Sequence, residues 1–179
     1  MKNQALSNPL RLGSAFAWPA LGCGISSLLS PRRAAKTRRT KTSCGGVVIN
    51  HEGRVLLRQP AGRGKGYYWT FAKGKPEMKE SLDEAALREV LEETGIRARI
   101  VTKIPGSFNG SNTVNEYFLM VPLEDPRSFD AETAAVRWVT RDEAKLLISL
   151  TEKPNRRERD LRVLKAAFRL FYFLKAASV

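Results

Sequence analysis

The sequence predicts an α/β fold in which a mixed β-sheet lies between helices. Three observations carry that expectation. Short apolar, β-branched or alternating runs recur at residues 45–49, 55–57, 97–104, 114–121 and 136–139. The first two are separated by residues 50–54, where His51, Glu52 and Gly53 form a turn that reads as the tip of an antiparallel hairpin. Helical segments alternate with the strands, and two are opened by capping boxes, Ser81 with Glu84 and Thr140 with Glu143. Helical crossovers call for parallel neighbours and hairpins for antiparallel ones, so both kinds of pairing are expected in one sheet.

Taken in order, the chain of 179 residues divides by charge. Its net charge is +13, but the charge is unevenly spread. Residues 1–43 hold eight Lys or Arg and no Asp or Glu; residues 44–152 hold fifteen basic and sixteen acidic side chains; residues 153–179 hold eight and two. The central part is thus near neutral, which argues against a fold built to bind nucleic acid. Residues 1–42 are expected to be a basic extension, disordered or serving in targeting or secretion, and residues 43–179 a folded domain. The apolar stretch 14–29 is too short for a membrane span and contains Pro19. Two cysteines, Cys23 and Cys44, make neither a disulfide framework nor a zinc site, and reduced thiols in a cytoplasmic protein are the plain expectation. Oligomeric state is not written in the sequence.

Residues 60–66 contain three glycines with Arg63 and Lys65 between them, a loop able to reach phosphate. Residues 67–71 read as a short aromatic strand, with Trp69 and Phe71 on one face and Tyr68 and Thr70 on the other. Ser81 then starts a helix that Gly95 should stop, since glycine accepts the left-handed geometry of a helix end. Ala86, Leu87, Val90 and Leu91 fall on the side expected to face a core, and Glu89, Glu92 and Glu93 on the side opposite. Three carboxylates within about one turn repel one another. Arg88 is expected to help only in part, from the edge of the cluster. Hard oxygen ligands at such density suit Mg²⁺ or Mn²⁺; a plain acidic surface patch is the competing reading.

Residues 74–96 also resemble the Nudix box, G-x5-E-x7-R-E-U-x-E-E-x-G-U with U a bulky aliphatic. Gly74, Glu80, Arg88, Glu89, Val90, Glu92, Glu93, Gly95 and Ile96 fill every fixed position. The lead-in, residues 69–74, is similar to the W-x-F-P-K-G of several Nudix groups, including dinucleoside polyphosphate hydrolases, with Ala72 in place of the proline. The resemblance implies an α/β/α sandwich and a metal-dependent pyrophosphohydrolase. It implies that Glu89, Glu92 and Glu93 hold the metal, with Glu80 and Gly74 beside them, and that Arg88 orients a box carboxylate. It further implies a base from outside the box, for which Glu132 and Glu116 are candidates.

Past the box, Val114 to Val121 should place Tyr117 and Leu119 on one face and Glu116, Phe118 and Met120 on the other. A final helix starting at Asn155 carries an apolar stripe of Leu161, Leu164, Phe168, Phe171 and Tyr172, with Arg159 among the cations on its other faces. Packing on its own domain is favoured over binding a membrane. Lys73 and Lys75, with Arg63 and Lys65, are candidate phosphate contacts, and Tyr68 and Tyr117 candidate base-stacking residues. These features favour a nucleotide or polyphosphate substrate: dinucleoside polyphosphates or nucleoside triphosphates first. Diphosphoinositol polyphosphate, the 5′ end of RNA, and nucleotide binding without cleavage are the alternatives. A protein starting at Lys41 is expected to keep kcat and Tm; a large loss of either would mean that residues 1–40 pack on the domain.

Overall fold

The computed structural model describes residues 41–62, 68–109, 113–123 and 128–177. The expectations for residues 1–40, and those for Arg63 and Lys65, lie outside the described residues. The elements follow in the order β1 (Lys41–Val48), β2 (Val55–Pro60), β3 (Ala72–Gly74), α1 (Leu82–Thr94), β4 (Ala98–Lys103), β5 (Phe108–Asn109), β6 (Thr113–Pro122), β7 (Thr133–Val139), α2 (Arg141–Ser149) and α3 (Pro154–Ala177).

The larger sheet runs β3-β1-β6-β4, with β5 also paired to β6. β1 and β6 are parallel over eight residue pairs, from Lys41 with Thr113 to Val48 with Met120. β3 and β4 flank them antiparallel, so the sheet is mixed as expected. β2 does not return beside β1. It pairs antiparallel with β7 in a separate two-stranded sheet, and an isolated bridge joins Val55 to Ile49, the residue after β1. The reason is occupancy: β3 and β6 already take both edges of β1, so β2 finds its partner elsewhere. The aromatic segment also shifts. Thr70 bridges Arg58 of the small sheet, and the regular strand begins only at Ala72, beside β1. Residues 69–72 thus pass from one sheet to the other.

The large sheet has two apolar faces because strand side chains alternate. Cys44, Val48, Phe118 and Met120 meet Ala85, Ala86 and Val90 of α1. Val47, Ile49, Tyr117 and Leu119 meet Ala144 and Ile148 of α2 and Val163, Leu164, Ala167 and Phe168 of α3. Helices on both faces make the α/β/α sandwich. Three side chains depart from the helical expectation. Leu91 is partly exposed, and Glu93 takes a buried place on α1 instead. Arg159, expected on a solvent face of α3, is buried beside Asp160. No helix among the described residues is long and apolar enough to cross a membrane.

The last helix is anchored by Phe168, fully buried with rings of Phe171 and Tyr172 at 6.3 and 5.8 Å. Phe168→Ala should cost about 3–5 kcal/mol in denaturant unfolding, whereas Phe173→Ala, at a side chain 68% exposed, should stay within about 0.5 kcal/mol.

Candidate functional site

The capping box forms as expected and sets the phase of α1. Ser81 Oγ accepts the Glu84 amide at 3.4 Å, and the Ser81 amide donates to Glu84 Oε2 at 3.0 Å. Gly95 ends the helix at φ 69°, and its N–H caps the Leu91 carbonyl at 2.8 Å. With both ends fixed, Arg88, Glu89, Glu92 and Glu93 have fixed directions.

Arg88 is not at the edge of the cluster but at its centre. Nε and Nη2 donate to the two oxygens of Glu80 at 2.8 and 2.9 Å. Nη1 donates to Glu89 at 3.1 Å and Glu92 at 2.9 Å, and Nη2 also reaches the Lys75 carbonyl at 3.1 Å. The guanidinium fork is the side chain able to serve so many acceptors in one plane. These bonds hold Glu80 below the usual carboxylate range and raise Arg88. Burial pushes Glu89 upward against the pull of Arg88. Gly74 enters as space. A Cβ there would stand 1.8 Å from Glu89 Oε1, so any side chain would expel the carboxylate from its place.

Glu93 leaves this group. Its side chain is 7% exposed, against 49% for Glu92. One oxygen pairs with Arg58 Nη1, and the other accepts the Lys73 amide at 2.8 Å. Arg58 has two further partners: Nε donates to Thr133 Oγ1 at 2.9 Å and Nη2 to the Glu132 carbonyl at 2.7 Å. Burial pushes Glu93 up to about 7, although Arg58 and the Lys73 amide pull the other way. The three box glutamates therefore occupy three environments. Among the described residues no group of three or more His, Cys, Asp or Glu is already set to hold a metal ion. Glu80, Glu89 and Glu92 instead converge on Arg88.

A cleft of about 400 Å³ opens beside Glu93, lined by Arg58, Pro60, Ala61, Thr70, Lys73, Glu93, Ala131 and Glu132. Lys73 and Glu132, both expected in the site, are in its walls. Burial lowers the Lys73 ammonium from its ordinary value, and Arg159 adds to that while Asp160 and Glu93 oppose it. Lys75 is exposed and contributes its carbonyl to Arg88. Glu116 pairs with Lys103 Nζ at 2.6 Å.

Tyr117 overturns its expectation. It is fully buried between Phe71 and Phe108, with ring centroids at 6.1 and 5.8 Å, and no base can stack on it. Strand alternation explains this, since Tyr117 points to the α2–α3 face, away from α1. Tyr68 packs half-buried on the same core and is not among the cleft's described lining residues. A larger hollow of about 590 Å³ runs along α3 past Arg162, Arg169 and Phe173 and contains none of the box residues. Arg58 escaped the sequence reading. Its signal was a lone cation following three apolar residues, Val55, Leu56 and Leu57.

Residues 39–163 match the NUDIX domain family. The chain belongs to the Nudix hydrolase family. A putative mutator protein MutT4 of Mycobacterium tuberculosis is 32% identical over 127 residues, covering 62% of this chain and 51% of that protein. A MutT-like protein of Streptomyces ambofaciens is 31% identical over 115 residues, covering 63% and 72%. The chain thus spans about half the length of the mycobacterial relative. Among solved structures, a NUDIX hydrolase from Nitrosomonas europaea superposes with a TM-score of 0.60 at 22% identity, over 73% of each chain. At that identity the likeness concerns the fold.

The split between Glu92 and Glu93 has a measurable consequence. Glu92→Gln should leave Tm nearly unchanged, because its side chain is half exposed. Glu93→Gln should lower Tm, because both Glu93 oxygens accept hydrogen bonds, from Arg58 and from the Lys73 amide, and the amide nitrogen of Gln cannot accept. The pH dependence should differ as well. A carboxyl raised from 4.5 to about 7 binds more protons folded than unfolded, so its contribution to stability is full at low pH and is lost as pH rises through 4.5–7. Urea unfolding across that window should show a shallower fall for Glu93→Gln than for the wild-type protein.

Proposed function

We propose that the chain is a divalent-metal-dependent pyrophosphohydrolase of a nucleoside diphosphate linked to a further group, with dinucleoside polyphosphates and nucleoside triphosphates as the leading substrates. The observation that supports this is the joining of a box glutamate, Glu93, and a lysine, Lys73, in the walls of one cleft, with Glu93 on the same helix as Arg88, Glu89 and Glu92.

The residues fit a hard divalent ion, Mg²⁺ or Mn²⁺. Glu80, Glu89 and Glu92 supply only oxygen, Glu89 has its place because Gly74 has no side chain, and Arg88 already shows that the cluster demands positive charge. Glu80, Glu89 and Glu92, with Glu93 on the cleft side, would hold the ion, which when bound neutralises phosphate oxygens and acidifies water. Arg88 keeps these carboxylates from repelling one another out of position. Lys73 takes a phosphate oxygen in the cleft. Glu132 lies exposed at the cleft, and its carboxylate has no hydrogen-bond or ion-pair partner among the described residues. It is the side chain assigned to take the proton of the attacking water at a carboxylate oxygen. Arg63 and Lys65 would add phosphate contacts, which the longer phosphate chains would use.

Glu89→Gln or Glu92→Gln should lower kcat about a hundredfold or more at saturating Mg²⁺, because charge stabilisation by a held metal is worth several kcal/mol. The assay is phosphate release from diadenosine polyphosphates, nucleoside triphosphates, a nucleotide sugar, diphosphoinositol polyphosphate and 5′-triphosphate RNA. Lys73→Ala should raise KM more as the phosphate chain lengthens. A nucleotide sugar as best substrate, or an equal KM change at every length, would end the polyphosphate reading.

A further inference from the structure

The first turns of α3 bury two ionisable side chains far from the box in sequence. Asp160 is wholly enclosed and Arg159 nearly so. Asp160 divides its oxygens between two partners. Oδ1 accepts from Arg159 Nε at 2.8 Å and forms an ion pair with Nη2 at 2.7 Å, and Oδ2 accepts from Thr70 Oγ1 at 2.8 Å. Thr70 is buried too, and its backbone exchanges two 3.0 Å hydrogen bonds with Arg58. Arg58 holds Glu93, and Glu93 holds the Lys73 amide. A continuous path therefore runs from α3 through Thr70 to both charged walls of the cleft. Thr70 and Lys73 line that cleft; Asp160 stands behind them.

Stability alone is a weak reason for such a pair. Enclosing an aspartate and an arginine costs desolvation, and packed apolar groups of the same volume serve a core as well or better. What apolar groups cannot supply is a hydrogen bond that fixes the Thr70 hydroxyl, and with it the turn of chain that ends in Lys73. The electrostatic surroundings agree, because Arg159 and Asp160 are, after burial, the two groups that act most strongly on the Lys73 ammonium.

We propose that Asp160 is a positioning residue for substrate phosphate: through Thr70 it fixes residues 70–73 against Arg58 and so sets where Lys73 stands in the cleft. This rests on the reading of Lys73 as a phosphate contact. It makes α3 part of the binding machinery and not merely a cover for the sheet.

The test is a double-mutant cycle in the full chain, with Asp160→Asn, Thr70→Val and Lys73→Ala alone and each of the first two combined with Lys73→Ala. Calorimetry gives Kd for inorganic tripolyphosphate, and steady-state assays give kcat and KM for the best nucleotide of the panel, all below the lowest melting transition. Asp160→Asn and Thr70→Val should each weaken tripolyphosphate about tenfold and raise KM alike, with kcat within about threefold. On the Lys73→Ala background the same changes should have less than about a twofold effect, since they act through Lys73. Equal losses in both backgrounds, or a lowered Tm with unaltered Kd, would overturn the proposal and leave Asp160 a structural residue. So would Lys73→Ala that binds tripolyphosphate as the wild type does. Thr70→Val keeps the Asp160–Arg159 pair and decides the matter if Asp160→Asn does not fold. A wild-type protein that binds tripolyphosphate but hydrolyses nothing in the panel would end the hydrolase reading, and the binding cycle would still test the positioning role.

Discussion

The buried pair of Arg58 and Glu93 is the interaction on which the arrangement of this domain depends. Arg58 belongs to the two-stranded sheet and Glu93 to the helix that covers the larger sheet. Their contact ties the two parts together. The guanidinium also reaches Thr133 at the start of β7 and the Glu132 carbonyl just before it, and the carboxylate reaches the Lys73 amide on β3. Thr133 closes the ring by donating to the Glu93 carbonyl at 2.8 Å. Removing one partner of such a buried pair typically costs about 3–5 kcal/mol, because the other charge is left without compensation. Four segments distant in sequence therefore share one electrostatic constraint, and the cleft is the space they leave between them.

The second arginine works differently. Arg88 and its carboxylates are partly open to solvent, with Glu92 half exposed, so each ion pair contributes little to stability. Their value lies in geometry. Four acidic side chains in this small region would otherwise spread apart, and a planar fork of donors gathers three of them. Of the two networks, the buried one holds the scaffold and the open one holds donors where a cation can meet them. Glu89 lies between these regimes, half-buried and drawn to Arg88, in the space that Gly74 leaves.

The covering helix on the opposite face shows the same division of labour at a smaller scale. Phe168 and Val163 fill the core, while Asp160 turns inward to Thr70 and the cations Arg162, Lys165 and Arg169 stay in solvent. A helix with one apolar stripe and one inward acid can pack on a sheet and hold a loop of the site at once.

How much of this was written in the sequence depends on range. The capping boxes, the Gly95 stop, the alternation of Tyr117 with Phe118 and the complete box between Gly74 and Ile96 are local patterns, and each appears in the structure as the residues imply. Local geometry determines them, because a helix start needs only Ser81 and Glu84, and a strand face needs only alternate residues. The partners of β2, the core place of Tyr117, the central role of Arg88 and the inward turn of Glu93, Arg159 and Asp160 were not legible. Each was decided by groups far away in the chain. Glu93 faces inward because Arg58 waits there, Asp160 because Thr70 does, and β2 joins β7 because β1 is already paired on both sides. The sequence by itself determined the capped helices, the family and the acids at hand; the tertiary structure decided which charges meet, because burial makes an unpaired charge too costly to leave where local preference alone would put it.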